Sequence, residues 1–362
     1  MLGISSACLT VTVPAWTSWM SDLVPSESRG RYFGHRNTLA GLATMLVPLP
    51  AGWLLDRYAG SQDRGGFPVL FGLACVFAVG AFVLILRQPE PPSTHNAQST
   101  QLSAALLPVQ DPVFRKFLAF ACLLVAGQGI GGPFFLTWQL EPGALALPYL
   151  GVQILGGVAS GASLLANPYW GHVTDKFGAR PVLALACLVV AIAPILWVLT
   201  DPGKTWNIPF ILILSITSGI GWSAIGLAQF HLLIGLSKPE LRSGYVGFFS
   251  AATGVVGGVA PLVGGWLMEN LEDLSAITGP IHWNNFKVVF VLSAVLRLAA
   301  PWFLKGLADS QEPASADMVR RVLDVRNVSA IRHVRRLAAP LGSDERRDAI
   351  VAIGENRSRL AL

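Results

Sequence analysis

Charged residues are scarce in this sequence. Only 13% of the 362 residues are Asp, Glu, Lys or Arg, whereas soluble domains contain about a quarter, and 52% are hydrophobic. The period-two alternation of barrel strands is absent as well. The chain instead contains apolar stretches of roughly 20 residues, the length that a helix needs to cross a bilayer. The sequence therefore predicts an all-α, multi-pass membrane protein.

Nine predicted spans organise the chain. They lie at about residues 3–24, 37–56, 67–87, 114–138, 148–170, 180–200, 207–236, 244–268 and 285–305. No Asp or Glu lies in the middle of a span, so proton coupling through a buried carboxylate is not expected.

Cysteine pairs and metal-binding spacings are also lacking. The four cysteines stand singly inside spans, where we expect them to act as small packing residues: Cys8, Cys75, Cys122 and Cys187. The sequence has no nucleophile–base pair and no phosphate-binding glycine loop. We therefore expect no cofactor and no metal, and an enzyme is the class of protein that the sequence favours least.

Lys and Arg residues are concentrated on one side of the predicted membrane. Ten lie in the first, third, fifth and seventh turns or their flanks, against four in the alternate turns. Because cytoplasmic loops carry the excess of positive residues, the first set and the C-terminus are predicted to be cytoplasmic. This distribution explains the net charge of +5 without a nucleic-acid partner. The expected location is the cell (inner) membrane.

The second span has a copy later in the chain. A shift of 213 residues places Arg29–Leu54 on Arg242–Leu267 without a gap, and nine of the 26 pairs are identical. The spans that follow also share a pattern, at Phe67–Phe71 and Phe286–Phe290. The copies are the second and the eighth spans, so the repeating unit is six helices. Two parallel six-helix repeats are a transporter architecture.

Composition divides the chain into four predicted parts. Residues 1–88 hold three spans of a partial N-terminal half, and 89–113 form a proline-containing cytoplasmic linker. Residues 114–305 form a six-helix C-terminal half. Residues 306–362 form an Arg-rich cytoplasmic tail, for which a solvated extension is favoured over a segment that binds lipid or a regulator.

A short charged stretch, Gly171–Pro181, links the fifth and sixth spans. It could be an ordinary solvated loop, but it has a defined order of glycine, acid, base, glycine and base: Gly171, Asp175, Lys176, Gly178 and Arg180. Glycine permits a tight reversal of the chain. A carboxylate at this boundary can accept the free N–H groups that open a neighbouring helix.

This stretch, the six-helix repeat and the basic first turn resemble the major facilitator superfamily over residues 1–305. One position departs from the family's pattern, since Ala179 replaces a base. The resemblance implies a gate in which Asp175 tethers the two halves on the cytoplasmic side in the outward-facing state. The implied gate partners are basic residues around the start of the second span and in its copy: Arg29, Arg31, Arg36 and Arg242. Asp22, at the end of the first span, belongs to the same gate because we expect it to pair with one of these arginines.

The family has twelve helices, and the repeat aligns the nine spans found here with family helices 4–12. We expect the difference to reflect a start site placed too late or a fragment. The alternative is a genuine nine-helix protein.

Polar and aromatic groups inside spans are the candidates for lining a substrate site. Gln128 lies in Gly127–Pro133, where glycines and proline could unwind the helix or could instead serve close packing. The further candidates are Asn167, Trp222 and Gln229.

Arg297 is the basic residue deepest within a predicted span. It lies about 12 Å of helix before Lys305, and we expect its side chain to snorkel towards that end. The walls then offer mainly aromatic and amide groups, which favour a small neutral or amphipathic solute over a polyanion.

The leading interpretation is a secondary transporter in the lipid bilayer that works by rocking two helical bundles about a central site. Its partner is a small-molecule substrate, with or without a coupling proton or ion, and a partial antiporter-like run at Pro261–Gly265 leans towards efflux. The alternative is a non-transporting membrane protein, either an inactive truncation or a sensor that signals through its tail to an unidentified partner.

Overall fold

The computed structural model describes residues 29–58, 66–88, 108–237, 241–272, 276–278 and 281–305. In this part of the chain, eight helical segments are long and apolar enough to cross a membrane. They confirm the eight predicted spans from residue 37 onwards. The predicted span at 3–24, linker residues 89–107 and the tail at 306–362 lie outside the described residues.

Three helices form the first two of these spans. α1 covers Arg29–Leu46, α2 covers Pro48–Tyr58 and α3 covers Gly66–Leu86. Pro48 and Pro50 have no N–H group to donate to the preceding turn, which explains the break between α1 and α2.

Six helices follow. They are α4 (Pro112–Leu140), α5 (Tyr149–Phe177), α6 (Ala179–Trp197), α7 (Asn207–Leu236), α8 (Arg242–Asn270) and α9 (Asn285–Ala299), which continues as a 3-10 turn, Ala300–Leu304. The Asp111 carboxylate caps the start of α4, because it accepts the N–H groups of Val113 and Phe114 at 2.9 and 3.3 Å.

The sequence repeat is visible in the helix boundaries. α1 and α8 both begin at the aligned arginine, Arg29 or Arg242. α3 and α9 both begin one residue before their aligned phenylalanines. The two copies differ at one proline, because Val263 of α8 stands at the position of Pro50. α8 is one continuous helix, whereas the first copy is divided into α1 and α2.

The bundle has two ends. The starts of α1, α4, α6 and α8 lie at one, which we call the Asp175 end, and the ends of α2, α4, α6 and α8 lie at the other, the Asp56 end. The largest buried cluster lies towards the Asp175 end, where α4 packs on α8. The rings of Phe117 and Phe249 stack there with centroids 5.4 Å apart.

Small residues let the helices approach closely. A Cβ atom at Gly219 of α7 would overlap the carbonyl oxygen of Ala159 in α5, and one at Gly264 of α8 would overlap that of Ile130 in α4. Backbones that meet at glycine are common where membrane helices pack.

Two short strands connect α8 to α9. β1 (Ala276–Thr278) and β2 (Ile281–Trp283) pair antiparallel. They are the only strands in the described ranges, whose other regular elements are helices, as predicted.

A buried ion pair joins α9 to the loop after α6. Lys287 at the start of α9 is 1% exposed, and its Nζ lies 2.6 Å from Asp201 Oδ1.

Candidate functional site

A cavity of about 300 Å³ lies among α4, α5, α6, α7 and α9. Much of its wall is apolar, with side chains that include Phe135, Val152, Leu155, Trp197 and Leu214. Its polar side chains are fewer: Gln128, Gln139, Ser215, Ser218 and Arg297. A mainly apolar cavity of this size with a few convergent polar groups is typical of a small-molecule site.

Gln128 lines this cavity because of the way α4 packs. The helix is continuous through Pro133, so the unwinding considered from the sequence is wrong and the close-packing alternative holds. Gly127 and Gly131 face α9, where the Ser293 hydroxyl donates to the Gly127 carbonyl at 2.5 Å. Gln128 is exposed and among the cavity-lining residues.

Arg297 is buried instead of extending to the end of its span, so the snorkelling prediction is wrong. It is 4% exposed, and its Nη1 donates to the Val190 carbonyl of α6 at 2.9 Å. Its guanidinium carbon lies 5.5 Å from the ring centroid of Trp222. The hydrogen bond to α6 and the contact with Trp222 of α7 stabilise the guanidinium inside the bundle. The side chain therefore does not extend to the water at the end of the span.

Trp222 connects this cavity to a second one. A space of about 370 Å³ lies between α1, α5 and α7 and shares Ala159, Ser218 and Trp222 with the first. Gly41 and Thr44 of α1 form part of its wall. Both the N-terminal helices and the six later helices therefore contribute to the region around Trp222.

The other two predicted lining residues lie elsewhere. Asn167 in α5 and Gln229 in α7 are half-buried, and neither lines either cavity. Of the four predicted lining residues, the structure brings Gln128 and Trp222 together.

The charged stretch after the fifth span is more helical than expected. α5 continues to Phe177, well beyond the predicted end of the span at 170, and carries Gly171, Asp175 and Lys176. Gly178 alone separates α5 from α6, with a φ of 85° that favours glycine. Arg180 is the second residue of α6.

Asp175 is exposed in this conformation. In the described part of the chain its carboxylate has no hydrogen bond or ion pair, and α6 begins without a side-chain cap. Arg36 Nη1 donates to its neighbour Asn37 at 3.0 Å.

The remaining predicted gate partners are known only by their place in the chain. Arg29 and Arg31 lie in the first turn of α1, and Arg242 begins α8. Asp22 lies outside the described residues.

A carboxylate does cap a neighbouring helix, but at the opposite end of the bundle. Asp56 near the end of α2 accepts the N–H groups of Tyr149 and Leu150 at 2.7 and 2.8 Å. These groups open α5, whose own N-cap residue, Pro148, makes no side-chain cap. Asp56 thus joins the N-terminal helices to the later six through an N-terminal cap on α5.

The sequence analysis missed Asp56, and it expected Arg297 to reach the end of its span instead of lining the cavity. A signal for the first exists, because Glu269 stands at its position in the second copy of the repeat, so both copies carry an acid there. For Arg297 the signal was its position within a span, since intramembrane ionisable groups are functional by default.

Comparisons with known proteins agree with this architecture. The sequence model of the Major Facilitator Superfamily matches the chain over residues 1–143 and 141–343. The chain is 24% identical to the "Staphyloferrin B transporter" of Staphylococcus aureus over 304 residues, which are 79% of this chain and 65% of that protein. The chain thus spans just under two thirds of this relative's length.

Two further relatives match over shorter regions. "Multidrug resistance protein MdtG" of Dickeya zeae is 31% identical over 132 residues, which are 35% of this chain and 30% of that protein. An "MFS-type transporter" of Aspergillus terreus is 29% identical over 100 residues, 28% of this chain and 17% of that protein.

The family match extends over most of the chain and agrees with the eight apolar helices and the six-helix repeat. It also confirms the resemblance that the sequence motifs indicated. The chain belongs to the Major Facilitator Superfamily, a family of membrane transporters and not of enzymes.

Proposed function

We propose that this chain is a secondary transporter that moves a small neutral or amphipathic solute across the membrane by alternating access. The observation that carries the proposal is the cavity within the membrane-spanning helices, which Gln128, Trp222 and Arg297 line. Its size suits a small molecule, and its mixed wall suits a solute with an apolar body and a polar group.

Alternating access requires an interface that can open at either end. α1 and α2 contact α5 along its length. Gly41 of α1 packs against the Leu164 side chain, and Asp56 of α2 accepts the N–H groups that open α5. In this proposal the described conformation is closed at the Asp56 end. Asp175 forms its tether only in the opposite conformation, with the basic starts of α1 and α8 as partners.

The same proposal includes the orientation and the domain division. The Asp175 end faces the cytoplasm because the Lys and Arg residues of the turns favour that side by ten to four. The spans correspond to family helices 4–12, with residues 89–113 as the linker and 306–362 as a cytoplasmic tail in a protein of the inner membrane.

The names of the relatives favour a small organic substrate and outward movement. One is named for staphyloferrin B and another for multidrug resistance. Export fits the second name and the partial antiporter-like run in α8.

The proposal is tested by flux in liposomes that contain the purified chain. Three fluorescent solutes of different charge serve as probes: ethidium, dansylglycinamide and dansylglycine. We expect saturable, protein-dependent flux of at least one probe down its gradient, and a lower rate for Gln128→Ala and Trp222→Ala.

Leu165→Ala is the matched control, because Leu165 is 85% exposed on α5 and lies outside both cavities. If all three probes move no faster than in protein-free liposomes, the transport proposal fails. If Leu165→Ala lowers flux as much as the cavity variants, the cavity is not the site.

A further inference from the structure

Arg297 carries a positive charge into the bundle without a carboxylate to balance it. The described part of the chain contains seven acids, and none lines either cavity: Asp56, Asp111, Glu141, Asp175, Asp201, Glu269 and Glu272. Three of them have other structural partners, since Asp56 caps α5, Asp111 caps α4 and Asp201 pairs with Lys287. The guanidinium therefore lacks a protein counter-charge in this part of the chain.

A buried charge without a partner is costly, so its retention in a membrane helix calls for a role. Lys287, the other buried cation of the described residues, shows the contrast, because it is paired with Asp201. A neutral residue at position 297 would avoid the free-energy cost of burying the charge. An arginine is useful there if a negatively charged group that enters the cavity balances it.

The surroundings of Arg297 fix the guanidinium and leave part of its donor capacity unused. Its stem passes over α4, where a Cβ at Gly127 would lie 3.0 Å from Arg297 Cγ. One amino group is held by the Val190 carbonyl, and Trp222 lies beside the guanidinium. Nε is buried with no hydrogen-bond partner.

We propose that Arg297 binds an anionic group, most simply a carboxylate, of the transported solute. The planar guanidinium matches a carboxylate with two parallel hydrogen bonds. The apolar wall at Phe135, Trp197 and Leu214 receives an apolar or aromatic body. The inference rests on the transport function proposed above, and it narrows the substrate class to amphipathic anions.

Binding of a matched pair of probes tests this inference. Dansylglycine and dansylglycinamide share the same aromatic body and differ in a carboxylate against a neutral amide. Energy transfer from tryptophan to the dansyl group reports binding, and Trp222 lines the cavity. We expect the purified protein to bind the acid about tenfold to a hundredfold more tightly than the amide.

Variants assign that preference to one side chain. Arg297→Gln should bind the two probes about equally while keeping its affinity for the amide. Arg297→Lys should keep a smaller preference, because an ammonium retains the charge without the planar fork. Arg115→Gln removes the same charge from an exposed site outside both cavities and should keep the full preference.

Equal affinity of the unmodified protein for acid and amide, or affinity for neither, overturns the inference even if a variant does not fold. An unchanged preference in Arg297→Gln overturns it as well. Flux separates the two proposals. A protein that moves both probes equally keeps the transport function and loses the anion site, whereas one that prefers the acid but moves nothing keeps the site and loses the transport function.

Discussion

At the scale of single residues, the contact of Asp56 with α5 joins two parts of the chain that are 93 residues apart. Capping an N-terminus satisfies backbone N–H groups that would otherwise lack a partner, and the helix dipole adds an attraction for the carboxylate. α5 begins at a proline that offers no side-chain cap, so this contact has no local substitute.

We expect Asp56→Ala to lower the stability of the protein by about 0.5–2 kcal/mol, as for other lost N-caps. Asp56→Asn should lose less, because the amide oxygen can still accept one N–H. Thermal unfolding in detergent measures both effects. Glu269→Ala is the control, because Glu269 occupies the equivalent position of the repeat but is exposed. Equal losses at the two positions would show that the cap on α5 is not the cause.

Sequence patterns predicted only part of the site at this scale. Trp222 and Gln128 were identified because polar and aromatic groups are notable inside apolar spans. The environment of Arg297 could not be predicted in the same way, since its hydrogen-bond acceptor, Val190, lies 107 residues earlier in the chain. Whether a long cation reaches water or stays inside depends on how distant helices pack.

At the scale of elements, hydropathy predicted the spans well but not the helix ends. α5 extends beyond its apolar segment at the Asp175 end. Its last turns contain polar residues such as Asp175 and Lys176, which a hydropathy pattern does not assign to a span. The glycines of α4 were compatible with two structures, an unwound segment or a packing face. The contacts of Gly127 and Gly131 with α9 decided between them, and those contacts depend on tertiary structure.

The contact between α5 and α7 supplies a prediction about helix packing. A Cβ at Gly219 would overlap a backbone carbonyl of α5, which no side-chain rotation can relieve. We expect Gly219→Ala to lower stability by about 1–3 kcal/mol through forced helix separation. Its control is Gly226→Ala in the same helix, where a Cβ would meet no atom within 4 Å.

Alanine at Gly226 should leave stability unchanged or raise it by up to about 1 kcal/mol, because alanine favours the helix. Thermal unfolding of the two variants in detergent distinguishes the positions. If they unfold at the same temperature, α7 does not approach α5 at Gly219 as described.

At the scale of the whole molecule, the two carboxylates act in different conformations in our proposal. Asp56 is bonded in the described conformation, whereas Asp175 is exposed. We therefore expect Asp175→Asn to leave thermal stability nearly unchanged but to lower the flux of the transported probe. Glu141→Gln, an exposed acid at the Asp56 end, should change neither quantity. Full flux in Asp175→Asn would exclude a tether at that residue.

Rocking of the two bundles requires α2 and α5 to separate at the Asp56 end during each cycle. A Cβ at Gly52 would lie 2.8 Å from Cγ of Gln153, the position that the sulfur of a cysteine there would take, and 3.0 Å from Cα of Leu150. A disulfide between Gly52→Cys and Gln153→Cys is therefore expected to form on oxidation after a small shift of α2, and the reduced double variant is the reference for flux. We expect this link to stop flux and reduction to restore it, with mass spectrometry confirming the bond. The control joins α4 to α8 within the six-helix unit through Val125→Cys and Gly257→Cys, two positions outside both cavities, where a Cβ at Gly257 would lie 3.4 Å from Cγ1 of Val125. That link should leave flux intact, because the six helices move as one body.

Undiminished flux through the protein with the α2–α5 link formed would mean that solute crosses without opening this interface, and the rocking mechanism would be wrong.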